Sequence, residues 1–155
     1  MNYDGIPAEL KAMPNWSGWK WVVEEGEPKK IPHQINGEKA RSNDPRTWTT
    51  FEIAYVAFTE TEGAFDGICW MMPTKPGKFV FIDVDDCVED GAITPLAIDV
   101  VKRFDSYTEI SQSGRGIHII IEAKKPFERC RKASSPFEIY DSLRPVYLTG
   151  DMVVV

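Results

Sequence analysis

Two aspartates spaced two apart, one histidine within an apolar run and a later glutamate are the residues whose types and spacing could do chemistry. Phe79-Val80-Phe81-Ile82 runs straight into Asp83-Val84-Asp85-Asp86, and because side chains alternate along a strand, Asp83 and Asp85 project from one face. Two carboxylates at the mouth of a buried strand repel each other and lose hydration, a cost relieved when Mg2+ or Mn2+ binds between them. A solvated acidic turn is the competing reading, since Asp86, Glu89 and Asp90 follow at once. His118, within Ile117-His118-Ile119-Ile120-Ile121, points away from the face of its neighbours and shares a face with Ile120 and Glu122. A lone strand histidine is either a satisfied structural residue or a ligand-binding one. The preceding Ser111-Gln112-Ser113-Gly114-Arg115-Gly116 offers hydroxyls, glycine-freed N–H groups and a guanidinium, the makings of a phosphate-binding concavity or of an ordinary hairpin turn. Glu138, between Phe137 and Ile139, needs a partner unless it faces water from an edge strand, and Arg144 and Thr149 complete the polar set.

These residues need elements to position them. Pro7 opens a short helix over 7–13 that Pro14 stops. Trp19, Trp21 and Val23 alternate at period two, and with an extended piece at 31–35 across the Gly26 turn they predict a hairpin. Thr49 and Glu52 have capping-box spacing ahead of Phe51, Ala54, Tyr55 and Phe58, which predicts a helix over 49–61. Apolar runs at 68–72 and 79–84, joined by Pro73-Thr74-Lys75-Pro76-Gly77-Lys78, read as a second hairpin. Thr94-Pro95 starts a helix over 95–104. Strands follow at 107–110 and 117–122, then a basic irregular stretch over 124–135, then strands at 137–140 and 146–149. Hairpins interrupted by two substantial helices predict an α+β fold with a largely antiparallel sheet.

The 155 residues, 43% of them hydrophobic, suit one domain with one core. With 18 Lys and Arg against 24 Asp and Glu, the net charge of −6 has the wrong sign for coating nucleic acid by bulk attraction, so any such contact is local. Two basic clusters exist: Lys29, Lys30, Lys39 and Arg41, and then Lys124, Lys125, Arg129, Arg131 and Lys132. No apolar run approaches the roughly 20 residues of a membrane helix, and Met1-Asn2-Tyr3-Asp4-Gly5 is no secretory signal. A cytoplasmic protein with reduced thiols is expected. Cys69, Cys87 and Cys130 form no C-x-x-C pair, which argues against a structural zinc site.

The order and spacing of these segments resemble the primase-polymerase domain of the archaeo-eukaryotic primase superfamily, as found in phage and plasmid replication proteins. The resemblance rests on Phe81-Ile82-Asp83-Val84-Asp85-Asp86, on Tyr107 through His118, on Glu138-Ile139-Tyr140-Asp141, and on Arg144 and Thr149-Gly150. Upstream it takes in Lys30-x-Pro32, Lys39 through Trp48, and Phe51-Glu52-x-Ala54. D-x-D alone is a weak signal, whereas the ordered set from about 16 to 150 is specific. Gln112 stands where many relatives have proline, and Pro145 where an aromatic is common.

The resemblance implies an RRM-like palm of mostly antiparallel sheet with an N-terminal αβ part, the whole of 1–155 being one catalytic domain, a minimal or truncated core. It implies a template-directed nucleotidyltransferase in which Asp83, Asp85 and Glu138 hold two Mg2+ or Mn2+ ions. Ser111, Ser113, Gly114, Arg115, His118, Arg144 and Thr149 would engage the nucleoside triphosphate, and Lys29, Lys30, Lys39 and Arg41 the DNA template-primer, with a helicase or accessory domain as a further partner. The alternatives are a non-catalytic nucleotide or single-strand binding module on the same scaffold and a metal-dependent nuclease. The latter typically wants a His-x-His pair that the isolated His33 and His118 do not supply.

Overall fold

A computed structural model describes residues 1–130 and 135–155. In chain order its elements are α1 (Ala8–Lys11), β1 (Trp16–Glu24), β2 (Glu27–His33), α2 (Phe51–Glu60), β3 (Gly67–Met71), β4 (Phe79–Val84), β5 (Val88–Glu89), β6 (Ala92–Ile93), α3 (Pro95–Phe104), β7 (Tyr107–Ile110), β8 (Ile117–Glu122), β9 (Phe137–Tyr140) and β10 (Pro145–Val146). The predicted α+β class with mostly antiparallel sheets is what forms. Among the described residues no helix is long and apolar enough to cross a membrane. The chain divides into two compact units.

The first unit comprises Pro7–Thr74 and Leu143–Tyr147, with a sheet of order β10-β3-β1-β2. The predicted first hairpin is β1 and β2, its turn made by Glu25 and Gly26, both at positive φ, the backbone that a two-residue turn matched to strand twist requires. Its second strand ends at His33, short of the expected 35. The helix expected over 49–61 is α2, but its cap is Thr50, whose hydroxyl accepts from the Ile53 amide at 3.3 Å. Thr49 is unavailable because its backbone is bridged to Trp16 in both directions, at 2.7 and 2.8 Å. Trp19, Ala40, Cys69 and Met71 form one buried cluster here, with Trp48 and Tyr147 against it. Burial pushes the Cys69 thiol up to about 12 against a hydrogen bond from Ser17, so it behaves as a small apolar side chain.

The expected hairpin between 68–72 and 79–84 does not form. β3 pairs with β1 and β10, and β4 pairs with β8 and β9 in the other unit. All of β3 and most of β4 are buried, and a strand buried on both faces is normally flanked on both edges. The six-residue connector also lacks the turn chemistry of a tight hairpin.

The second unit comprises Met1–Ile6, Lys75–Ser142 and Leu148–Val155. Its four-stranded antiparallel sheet runs β7-β8-β4-β9. Val80, Ile82 and Val84 of β4 and Ile117 and Ile119 of β8 pack with Ala97 and Val101 of α3, which spans the predicted 95–104. Period-two alternation therefore commits one face of the sheet to the helix and leaves the other to Phe81, Asp83 and His118. The acidic stretch after β4 folds as a small hairpin, β5 with β6, turning on Asp90 and Gly91, both at positive φ. The strand expected at 146–149 stops at Val146, because the amides of Thr149 and Gly150 donate to a side chain, Glu109, rather than to a neighbouring strand.

Candidate functional site

The register of the second unit's sheet lines up four polar side chains on one level. Glu109 of β7 lies opposite His118 of β8, His118 opposite Asp83 of β4, and Asp83 opposite Glu138 of β9. Directly opposed residues of antiparallel strands share a face, so the row crosses the whole sheet on the side away from α3. One level along stand Tyr107, Ile120, Phe81 and Tyr140. The Phe81 ring meets the His118 ring edge-on at 5.1 Å and stacks near Tyr140 at 6.2 Å.

At each edge of the sheet a tyrosine two residues away holds the row's glutamate. Tyr140 Oη donates to Glu138 Oε2, and Tyr107 Oη donates to Glu109 Oε2 at 2.5 Å. Burial, and then the adjacent Glu109 carboxylate, push the Tyr107 phenol well above its ordinary range, so it stays a donor. His118 Nδ1 is 2.7 Å from Glu109 Oε1, and its Nε2 is 3.9 Å from Asp83 Oδ1. His118 is 6% exposed: it is a satisfied histidine, and it is satisfied by a carboxylate within the row.

Asp85 lies just past the end of β4, where its amide donates to Pro136 O at 3.1 Å and prolongs the pairing. It therefore keeps the face of Asp83, and its side chain is exposed. Asp83, Asp85 and Glu138 are hard oxygen donors of the kind Mg2+ and Mn2+ take. Among the described residues, however, no group of three or more His, Cys, Asp or Glu stands close enough to hold a metal ion. The sheet thus supplies an opposed carboxylate pair with a third carboxylate one step along.

The 111–116 turn closes on Ser111 and Gly116, with the Ser111 amide donating to Gly116 O at 2.9 Å, and it abuts the end of β4. A Cβ on Gly116 would lie 2.6 Å from Val84 O, and Gly114 has φ +73°, so both positions need glycine. The Ser111 hydroxyl accepts from the Gly116 amide at 3.2 Å and the Ser113 hydroxyl from the Arg115 amide at 3.3 Å. The hydroxyls thus occupy the turn's own donors. Arg115 is directed at Asp86, 2.5 Å away and equally exposed, a pair worth little in water. Thr149 is buried, its hydroxyl donating to Ile110 O at 2.7 Å and its amide to Glu109.

The other expected binding residues belong to the first unit. Arg144 lies on its Leu143–Tyr147 segment, the backbone carbonyl accepting from the Met72 amide at 2.9 Å. Lys29 and Lys39 approach Glu24 at 3.9 and 2.8 Å, Lys30 lies over the Tyr147 ring at 4.8 Å, and Arg41 is exposed. Of the later basic stretch, Lys125 pairs with Asp141 at 3.5 Å, and Arg131 and Lys132 lie outside the described residues.

No family model matches the chain. The sequence is 33% identical, over 153 residues, to the DNA primase-polymerase of Nitratiruptor phage NrS-1. The alignment takes in 95% of this chain and 21% of the phage protein, so the chain spans about a fifth of that relative's length. This similarity supports a primase-polymerase domain. Within that domain, the residue that sequence reasoning passed over is Glu109. Its signal was countable: with Ser111 opposite Gly116 across the turn, the register puts Glu109 opposite His118.

Proposed function

We propose that this domain is the catalytic core of a template-directed nucleotidyltransferase that joins nucleoside triphosphates on DNA. The observation that carries the reading is the four-residue row, Glu109, His118, Asp83 and Glu138, laid across one sheet on the face opposite its helix. The sheet's order β7-β8-β4-β9, with α3 between the first two of its strands in the chain, supports an RRM-like palm of the archaeo-eukaryotic primase type. Asp83, Asp85 and Glu138 would hold divalent metal, Mg2+ or Mn2+. Bound there, such a metal would supply Lewis acidity toward a primer 3′-hydroxyl and positive charge beside the pyrophosphate leaving group.

The chain's own groups then have separate tasks. His118 Nε2, directed along the row, meets phosphate oxygen. Ser111, Ser113 and Gly114 shape the turn, and Arg115, in an exposed pair with Asp86, exchanges that partner for phosphate. Arg144 adds a further cation, while Thr149 acts from behind by fixing the row's edge. Lys29, Lys30, Lys39 and Arg41 contribute template contacts, and a helicase or accessory domain is the expected partner. The test is primer extension by this chain with Mn2+ or Mg2+, beside nucleotide binding by calorimetry, for wild type and Asp83→Asn. Metal-dependent extension lost in the variant supports the reading. Nucleotide binding without extension in the wild type would favour a non-catalytic module, and no metal-dependent nucleotide binding would overturn the nucleotide site itself.

A further inference from the structure

Along β1, in the first unit, the usual order of burial reverses. Trp19 is 1% exposed, but further along the same face Trp21 is 51% exposed and Val23 71%, while the charged residues Lys20 and Glu24 are half-buried. The solvent face of a strand normally carries polar residues, so an exposed indole beside an exposed valine marks a surface with a use. The register shows what shares that face. Pro32, Lys30 and Pro28 of β2 lie opposite Trp19, Trp21 and Val23, and Cys69 of β3 lies opposite Ser17. Among the described residues of these three strands, Lys30 is the charged side chain on this side; Glu24 and Glu27, opposite each other, take the other side.

The Lys30 ammonium lies over two rings, 4.8 Å from the Tyr147 centroid and 5.8 Å from that of Trp21. Tyr147 meets Trp19 edge-on at 5.6 Å and donates its hydroxyl to Lys30 O at 2.7 Å. The Trp21 amide donates to Asp66 Oδ2 at 2.7 Å, so the backbone that carries the exposed indole is tied down beyond the end of β3.

We propose that Trp21 is a stacking platform for a base of single-stranded DNA, with Lys30 meeting the adjoining phosphate. The inference deepens the template reading given above and rests on it. An indole takes any base on its π-face and a lysine meets phosphate as a point charge, so the pair holds a strand without reading its sequence. Bases in a duplex are stacked on one another and offer no such face. A stable protein interface uses roughly 20–30 residues a side, far more than the exposed apolar pair Trp21 and Val23, whereas a single strand needs only one ring and a neighbouring cation.

The test is fluorescence anisotropy, at low salt, of a labelled oligothymidine and of an abasic strand of equal length, which keeps the phosphates and lacks the bases. In Trp21→Ala, affinity for oligothymidine is expected to fall roughly tenfold, while affinity for the abasic strand stays at the wild-type value. Trp21→Phe, which keeps an aromatic ring, is expected to recover most of the loss. Lys30→Gln should weaken both strands alike and reduce the slope of log affinity against log salt by about 0.7, a slope that W21A leaves unchanged. Wild-type affinity for oligothymidine in W21A overturns the proposal, as does an equal loss on both strands in W21F at the wild-type melting temperature. A wild-type dimer that W21A dissociates, with strand binding unchanged, would overturn it in favour of a second copy of this chain on the patch. The template reading is judged separately: if Lys29→Gln with Lys39→Gln weakens strand binding and W21A does not, the platform fails and that reading stands, whereas a wild-type chain that binds neither strand ends both.

Discussion

Asp83 and Glu138 occupy directly opposed positions on β4 and β9, and like charges so placed destabilise a sheet by roughly 0.2–1 kcal/mol. His118 offsets little of this for Asp83, since Nε2 stands 3.9 Å from the carboxylate, beyond hydrogen-bond reach. Asp83→Asn removes the repulsion at nearly constant volume. Its melting temperature without metal should rise by about 1–3 °C, and the further rise that Mn2+ gives the wild type should disappear. Calorimetric melts with and without Mn2+ check this; a lower melting point with an undiminished response to Mn2+ would show that the pair is not a metal-binding liability. Asp83, Glu138 and His118 were legible because each is a polar residue set among apolar strand neighbours, an anomaly visible without coordinates. Glu109 was less so: its place opposite His118 could be counted across the turn, but its other partners, two amides some forty residues on, could not. Those amides sit in a segment whose alternation reads as a strand.

Among elements, the 111–116 turn couples the row to the strand that bears the acids. Gly116 approaches Val84 O so closely that a Cβ would lie 2.6 Å from it, with Ser111 Oγ at 3.3 Å on another side. The nearer obstacle is backbone and cannot rotate aside. Gly116→Ala should therefore displace the turn from β4 and cost about 1–3 kcal/mol, as other overpacked sites do, with a matching loss of nucleotide affinity. Melts together with calorimetric titration of ATP and Mg2+ decide: a variant of wild-type stability and affinity would mean that the turn has room to move. Helix α3, β8 and β9 matched their predicted spans because a proline start or a dense set of β-branched and aromatic residues marks them. Strand pairing was less legible, since β3 and β4 are adjacent in sequence yet belong to different sheets, and local pattern records burial rather than neighbour. The α2 cap shows the same limit one residue wide: Thr49 and Thr50 have equal capping chemistry, and the Trp16 bridge decides between them.

For the molecule as a whole, charge separates the two binding tasks. The net charge of −6 gives no long-range pull on DNA, so template affinity depends on local cations, and Lys29, Lys30, Lys39 and Arg41 are the candidates. Two of them already face Glu24, at 3.9 and 2.8 Å, and Lys39 lowers that carboxyl's pKa, first through its hydrogen bond and then through its charge; DNA must compete with this local anion. Four phosphate contacts on single-stranded template give a slope of about −3 in log affinity against log salt, roughly a fifty-fold loss between 50 and 200 mM. Nucleotide binding by the row and its turn relies on a few short-range contacts and should weaken only severalfold over the same range. The expected result is metal-dependent nucleotide binding that survives moderate salt, beside template binding and primer extension that are weak at 50 mM and vanish at 200 mM. Fluorescence anisotropy of a labelled template, calorimetry of nucleotide binding and an extension assay, each at both salt concentrations, measure the three quantities. Extension that stays processive at 200 mM would mean that the chain carries a template track beyond these four cations.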